Sequence, residues 1–273
     1  MDNDSLISII IPTYNRPDYL KKAIKTVLNQ TYKNIEIIIV DDFSKVDNKK
    51  IIDSFDDKRI TYFKNEKNKG APYSRNVGIK KARGEFIAFL DDDDEWKSTK
   101  LEQQLKAFDD SKVGLVVCYS LDKRFGTQRI SKPKENITYK DLLKSFNLSS
   151  TSSYFVRKEA LDKVGYFDLN LPSAQEYDVA LRISKYYVVK TVPKTLMIQN
   201  ASEGQISENW TRKIKGIMAL YKKYANEYKK LGSKGCLANH IKNIGLLGLF
   251  FLGFLFGNKI YRLIIPVKEL YER

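Results

Sequence analysis

Histidine is nearly absent from this chain, with His240 standing alone. A histidine metal cluster is thereby excluded, and acid–base work falls to carboxylates, lysine, tyrosine or cysteine. Cysteine is almost as scarce. Cys118 and Cys236 lie far apart, match no metal or redox spacing, and read as reduced thiols in a cytosolic setting. No G-x-G-x-x-G follows the first apolar run, which argues against a dinucleotide dehydrogenase. No G-x-x-x-x-G-K-[ST] occurs, which argues against a P-loop enzyme. The opening MDNDSLIS has no basic region followed by an apolar core, so no signal peptide is expected. No internal repeat is evident. Acids are the minority charge, 33 against 48 basic residues, for a formal net charge of +15.

What is present is an ordinary globular composition, 42% hydrophobic and 30% charged, over 273 residues. That length suits one large or two small domains. Apolar runs at Ile7–Ile11, Ile35–Val40, Ile60–Phe63, Phe86–Leu90 and Val113–Cys118 are continuous rather than alternating. Continuous apolarity predicts strands buried on both faces, as in a parallel sheet between helix layers. Helical spacing falls between them, after Pro17 and at Val46–Phe55, Ala71–Ala82 and Trp96–Phe108. The order predicts an open α/β sheet with right-handed crossovers. Residues 121–148 are turn-rich, with a short helix at Tyr139–Phe146. This half reads as a mixed extension of the same unit, which gives a catalytic domain over 1–205 in halves 1–120 and 121–205.

The remainder, 206–273, changes character. Trp210–Leu231 reads as one long basic amphipathic helix. Between Thr211 and Lys234 stand Arg212, Lys213, Lys215, Lys222, Lys223, Lys229, Lys230 and Lys234 against the single acid Glu227. An anionic partner and a solvated helix face are both open readings. Ile244–Gly257 is then free of charge, and none occurs between Lys242 and Lys259. It falls short of the roughly 20 apolar residues of a spanning helix, so it reads as interfacial or re-entrant. Ile260–Val267, around Arg262, adds a second shallow contact. Basic helix plus apolar segment favours a membrane surface, reached through residues 211–267, over nucleic acid or a buried core helix. The expected location is the cytoplasmic face of the membrane, peripheral or monotopic.

Ligands of open α/β sheets bind at the carboxyl ends of the strands. Three polar clusters fall there: Pro12-Thr13-Tyr14-Asn15-Arg16, Asp41-Asp42-Phe43-Ser44, and Asp91 to Asp94 followed by Glu95-Trp96. Four consecutive aspartates repel one another unless a cation or water relieves them, and a solvated turn is the plain reading of such a run alone. Its recurrence beside two other polar clusters argues for a site. A nucleotide diphosphate suits it. Asp42 can accept hydrogen bonds from a base or ribose, and Tyr14 can stack on a base. Asp91 and Asp93, two residues apart, can hold a hard divalent cation through oxygen. Arg75, in Ala71-Pro72-Tyr73-Ser74-Arg75-Asn76-Val77-Gly78, can add a charge-assisted contact.

Taken together, Ser8–Arg16, Val40–Ser44, Ser74–Gly78 and Phe89–Trp96 resemble the successive signatures of family 2 glycosyltransferases with the GT-A fold. The resemblance covers about residues 7–190, in the family's order and spacing. It implies a Rossmann-like, mostly parallel sheet flanked by helices, a nucleotide-sugar donor, inverting transfer and a divalent cation, Mn2+ or Mg2+. By position, Pro12, Thr13, Tyr14, Asp42 and Arg75 would hold the nucleotide. Asp91-Asp92-Asp93 would be the D-x-D motif, with Asp93 the direct metal ligand, Asp91 beside it, and Asp92 near the donor sugar. The family's base falls in a motif resembling E-D-Y-D-L-W-L-R after a G-x-F-D segment. Here Gly165-Tyr166-Phe167-Asp168 precedes Gln175-Glu176-Tyr177-Asp178-Val179-Ala180-Leu181-Arg182. The base position carries Glu176 where aspartate is usual, and Asp178 is the fallback, with a helix-positioning or salt-bridging role as its alternative.

The expected chemistry is transfer of a hexosyl or N-acetylhexosaminyl group from a donor, UDP-linked by resemblance, to a hydroxyl of a lipid-linked or cell-surface glycan. Glu176 would take the hydroxyl proton as that oxygen attacks the anomeric carbon opposite the diphosphate. Polyprenyl phosphate is a second candidate acceptor. A non-catalytic nucleotide-sugar-binding relative is the alternative, against which the intact D-x-D and Glu176 argue. A phosphoacceptor receiver domain fits less well, because its acidic pair would follow the first strand. Sugar, acceptor linkage and oligomeric state are not legible.

Overall fold

A computed structural model describes residues 4–124, 128–144, 148–201 and 210–231. β1 (Ile7–Thr13), α1 (Pro17–Leu28), β2 (Ile35–Asp41), α2 (Asn48–Asp53), β3 (Ile60–Lys64), α3 (Ala71–Lys81) and β4 (Phe86–Phe89) alternate as the apolar runs predict. β5 (Asp94–Trp96), α4 (Lys100–Leu105), β6 (Val113–Asp122), β7 (Arg129–Ser131), β8 (Asn136–Ile137) and α5 (Tyr139–Lys144) follow. A 3₁₀ turn (Thr151–Ser153), β9 (Phe155–Arg157), α6 (Lys158–Val164), α7 (Gln175–Ser184), β10 (Val188–Gln199), α8 (Trp210–Lys223) and α9 (Ala225–Lys230) complete the described chain.

One sheet runs β3-β2-β1-β4-β9-β6-β10-β5, with β7 on β6 and β8 on β10. Every residue of β1, β2 and β4 is buried. Alternate isoleucines serve opposite faces. Ile10 and Ile38 join the core under α3, α6, α7, α8 and α9. Ile9, Ile11, Ile37 and Ile39 join the core under α1, α2 and α4. The polar exceptions meet each other: Ser8 and Glu36 share a register position, and the Ser8 hydroxyl donates to Glu36 at 2.6 Å. Arg83 adds its backbone N–H at 2.7 Å and its Nε at 2.9 Å, so the buried carboxylate is satisfied. Gly78 lets α3 lie directly on β1, since a Cβ there would meet Ile10 Cγ2 at 2.5 Å. That close approach sets Arg75 and Asn76, one turn earlier, at the strand-end edge.

Several expectations change. The sheet is mixed rather than mostly parallel. β1 to β4 pair in parallel, but β9 runs antiparallel to both β4 and β6, and β5 antiparallel to β10. The helix expected from Trp96 starts only at Lys100. Trp96 instead pairs with Met197 in β5 and donates its indole N–H to Ser152 O at 2.9 Å. Strand pairing and a core-filling indole outweigh helical spacing there. α2 is shorter than expected, because Asp47 caps it by accepting from the Lys50 N–H at 3.3 Å.

The basic segment is two helices, interrupted at Tyr224. Its apolar side is not free for lipid. Leu220, Tyr224 and Tyr228 are part of the core, and Gly216 sits against Ser173. Lys215, Lys222, Lys229 and Lys230 face outward with Met218, which is 58% exposed. The apolar segment 244–257 and the contact at 260–267 lie outside the described residues. Among the described residues no helix is long and apolar enough to cross a membrane.

Candidate active site

The three strand ends meet. The Thr13 hydroxyl donates to Asp92 at 2.7 Å, and the Asp42 N–H donates to Thr13 O at 2.8 Å. Asn15 takes a left-handed backbone (φ 54°). It is held there by its N–H to the Ser44 hydroxyl at 2.8 Å and by the Lys45 N–H to its side-chain oxygen at 2.7 Å. This turn leaves the Tyr14 ring 43% exposed and sends Arg16 back over the aspartates. Phe43, also left-handed (φ 70°), is 50% exposed.

The acids after β2 are engaged by the chain itself. Asp41 accepts from the Ser44 N–H at 2.7 Å, Asn48 at 2.8 Å and the Tyr62 hydroxyl at 2.9 Å. Asp42 accepts from Asn65 Nδ2 at 2.9 Å, the Lys69 N–H at 3.0 Å and the Gly70 N–H at 2.6 Å. A buried carboxylate with these donors holds the 65–70 loop. Here Asp42 departs from the expectation of an acid free to receive a base or ribose.

The acids after β4 are engaged differently. Arg75 pairs with Asp91, while its Nε is buried without a hydrogen-bond partner and its guanidinium lies 5.5 Å from the Phe167 ring. Arg16 Nη1 lies 2.9 Å from Asp93 and 3.4 Å from Asp92. Burial pushes the Asp92 carboxyl up to about 7, the charges of Asp93 and Asp91 adding to the rise while Thr13 and Arg16 oppose it. Asp94 is raised well above the usual carboxylate range by burial and then by Asp91 and Asp93. Its oxygen accepts from the Ser152 hydroxyl at 2.5 Å, and that hydroxyl also accepts the Asp91 N–H at 3.0 Å.

Among the described residues no three carboxylate, cysteine or histidine groups converge on one point. The donor chemistry is nonetheless hard oxygen, and a magnesium-type ion needs only one or two carboxylates when phosphates and water complete its shell. The residues therefore fit a cation shared with a diphosphate, rather than a cage built by the chain alone.

α7 supplies the remaining acids. Glu176, in its first turn, is partly buried. Burial raises its carboxyl above the ordinary range, with Arg75 opposing the rise and Asp91 adding to it. Arg75 and Asp91, themselves an ion pair, are thus the charges that act on Glu176. Asp178 is fully buried and faces the other way. It accepts from Arg182 Nε at 2.9 Å and the Tyr224 hydroxyl at 2.8 Å, and lies 2.7 Å from Lys223 Nζ. With both oxygens taken it ties α7 to α8 and α9, so the fallback base gives way to the salt-bridging alternative.

Arg16, Asn76 and Ser152 were not singled out from the sequence. Asn76 locks the G-x-F-D segment to α3, donating to Phe167 O and accepting from the Phe167 N–H, both at 2.9 Å. Its place beside Arg75 in Ser74–Gly78 is the one signal that pointed to it. Ser152 sits in a serine run whose spacing carries no signal, and its role appears only once β9 is inserted next to β4.

The family described as Glycosyl transferase family 2 matches residues 8–166. Among curated relatives, the Escherichia coli UDP-Glc:alpha-D-GlcNAc-diphosphoundecaprenol beta-1,3-glucosyltransferase WfaP is 37% identical over 177 residues, 64% of this chain and 68% of its own. Among solved structures, S. aureus TarS 1–349 in complex with UDP-GlcNAc superposes with a TM-score of 0.65 at 17% identity, covering 97% of this chain and 91% of that one. The chain spans 39% of the longer TarS chain. The mannosyltransferase PcManGT from Pyrobaculum calidifontis, in complex with GDP-Man and Mn2+, gives a TM-score of 0.63 at 17% identity over 79% of this chain and 64% of its own. At these identities the two structures speak for the GT-A fold alone.

Proposed function

Because the chain belongs to glycosyl transferase family 2, we propose that this glycosyltransferase moves a sugar from a uridine-diphosphate donor to a hydroxyl of a lipid-linked or cell-surface glycan, with inversion. The observation that carries the reading is the single strand-end edge at which Thr13, Arg16 and Arg75 all engage Asp91 to Asp93. The name of WfaP, with UDP-Glc and a diphosphoundecaprenol acceptor, supports the donor and acceptor class.

In this mechanism Tyr14, exposed at the rim, stacks on the base. Asp42 and Pro12 shape the pocket, Asp42 by holding the 65–70 loop in place. Arg75 offers its unpartnered Nε to the diphosphate as a charge-assisted donor. Thr13 orients Asp92 towards the donor sugar. A divalent cation, Mn2+ or Mg2+, held by Asp93 and Asp91 together with the diphosphate, would supply Lewis-acid stabilisation of the leaving group. Glu176 accepts the acceptor hydroxyl proton, and its raised affinity for protons suits that task. One displacement then inverts the anomeric carbon.

Residues 1–205 form the catalytic part in this reading, and 206–273 attach it peripherally to the cytoplasmic face of the membrane. The outward lysines of α8 and α9 would meet anionic lipid, since the apolar side of these helices is already used. The deciding experiment is calorimetric titration with nucleoside diphosphates and their sugars, with and without Mn2+. Binding of one nucleotide, tightened by the metal, is the expected outcome. No binding across the panel by folded protein would leave the non-catalytic relative as the better reading.

A further inference from the structure

The acidic edge already contains a cation, and it is a side chain. Arg16 places one nitrogen 2.9 Å from Asp93 and 3.4 Å from Asp92. The turn just before it sets its approach. Asn15 holds a left-handed conformation that Ser44 and Lys45 pin from the β2 loop, and Pro17 starts α1 directly after. Asparagine is among the few non-glycine residues that adopt this conformation readily. The outcome is a guanidinium held over two carboxylates that would otherwise repel each other.

The inference rests on the reading of Asp91–Asp93 as the cation and diphosphate site. We infer that Arg16 is the built-in counter-cation of the Asp92–Asp93 pair, displaced by a divalent cation only when a nucleoside diphosphate arrives to receive the guanidinium. The logic is charge balance. A divalent ion entering alone must displace Arg16 from both carboxylates and gains few ligands, because no three metal-binding groups converge among the described residues. A divalent ion entering with a diphosphate brings phosphate oxygens as ligands and gives Arg16 a bidentate anion to hold. Metal and nucleotide therefore bind as a pair, each raising the affinity of the other by the same factor.

The test is Mn2+ binding to the full chain, read from the free-ion electron paramagnetic resonance signal with and without UDP. In the wild type UDP should tighten Mn2+ by about 5–150-fold, the usual span of such couplings. In Arg16→Gln, Mn2+ without nucleotide should bind about tenfold tighter, and the coupling to UDP should shrink by a similar factor. Arg16→Lys, which keeps the charge without the fork, should fall between the two, and it carries the test if Arg16→Gln does not fold. Unchanged or weaker nucleotide-free Mn2+ binding in both variants, with wild-type coupling intact, would overturn the role of Arg16 while leaving the site reading in place. Wild-type UDP binding indifferent to Mn2+ would overturn the site reading and this inference with it.

Discussion

The ends of β2 and β4 each place aspartates after a buried apolar strand, and the chain treats them in opposite ways. Asp41 and Asp42 receive backbone N–H groups, an asparagine each and a tyrosine hydroxyl. Asp91, Asp92 and Asp93 are balanced mainly by two arginines that come from other signature segments. A backbone donor cannot leave without unfolding its loop, whereas an arginine can exchange one anion for another by rotating. The first arrangement builds the pocket wall and the second leaves charge available for chemistry. An acidic run in a sequence therefore means little until its donors are known.

The largest effect should come from the acid that completes the β4 edge. Glu176→Gln keeps size and removes the base, so turnover should fall by roughly 10²–10⁴-fold. Donor affinity, measured separately by calorimetry, should hold. Near-normal turnover would remove Glu176 from the mechanism and break the link between α7 and the acidic edge.

The contrast itself is tested by paired truncations. Asp42→Ala strands three donors around the 65–70 loop and should cost about 3 kcal/mol in urea unfolding. Asp93→Ala loses a partly exposed ion pair and should cost less than about 1 kcal/mol, while abolishing metal-dependent donor binding. Equal stability losses at the two positions would erase the distinction between wall and working acids.

Lys100 is a charge with neither kind of partner. It is fully buried behind β5, its amine has no hydrogen bond, and the Trp96 ring lies 4.0 Å away. Burial lowers its pKa from 10.5 to about 8. Between those values the unfolded chain holds more protons than the folded one, so stability rises with pH across that window. Lys100→Met should be more stable than wild type by about 2 kcal/mol at pH 7. The gap should close as pH approaches 10.5. A gap independent of pH would mean that the amine keeps its ordinary pKa in the fold because it reaches water.

Much of this was legible in the chain. Continuous isoleucine runs gave β1 and β2, and the polar residues after each strand gave the edge. The donors to Asp42 were not legible, because Asn65, Lys69 and Gly70 lie in a loop whose spacing announces nothing. Trp96 fits helical spacing, but that periodicity does not register a strand of three residues held by its partner. The single amphipathic helix at 210–231 hid a break at Tyr224, and its apolar stripe belongs to the core rather than to lipid. Asn15 is a residue type that tolerates a left-handed turn, but Asn-Arg-Pro alone does not say that such a turn carries Arg16 over the aspartates.

The smallest effect expected is also the most specific. Arg75 touches Asp91 and lowers the proton affinity of Glu176, while Asp91 raises it. Arg75→Gln removes the opposing charge and leaves Asp91 unbalanced, so both changes push the Glu176 carboxyl further up. A base works only when deprotonated, so turnover is lost as pH falls through its pKa. The acidic limb of kcat at saturating donor should therefore move to higher pH in Arg75→Gln and return towards wild type in Arg75→Lys. An unmoved limb with a raised KM for donor would assign Arg75 to the diphosphate alone. In that case the arginines of the β4 edge would share one duty, and the base would be tuned by burial without help from its neighbours.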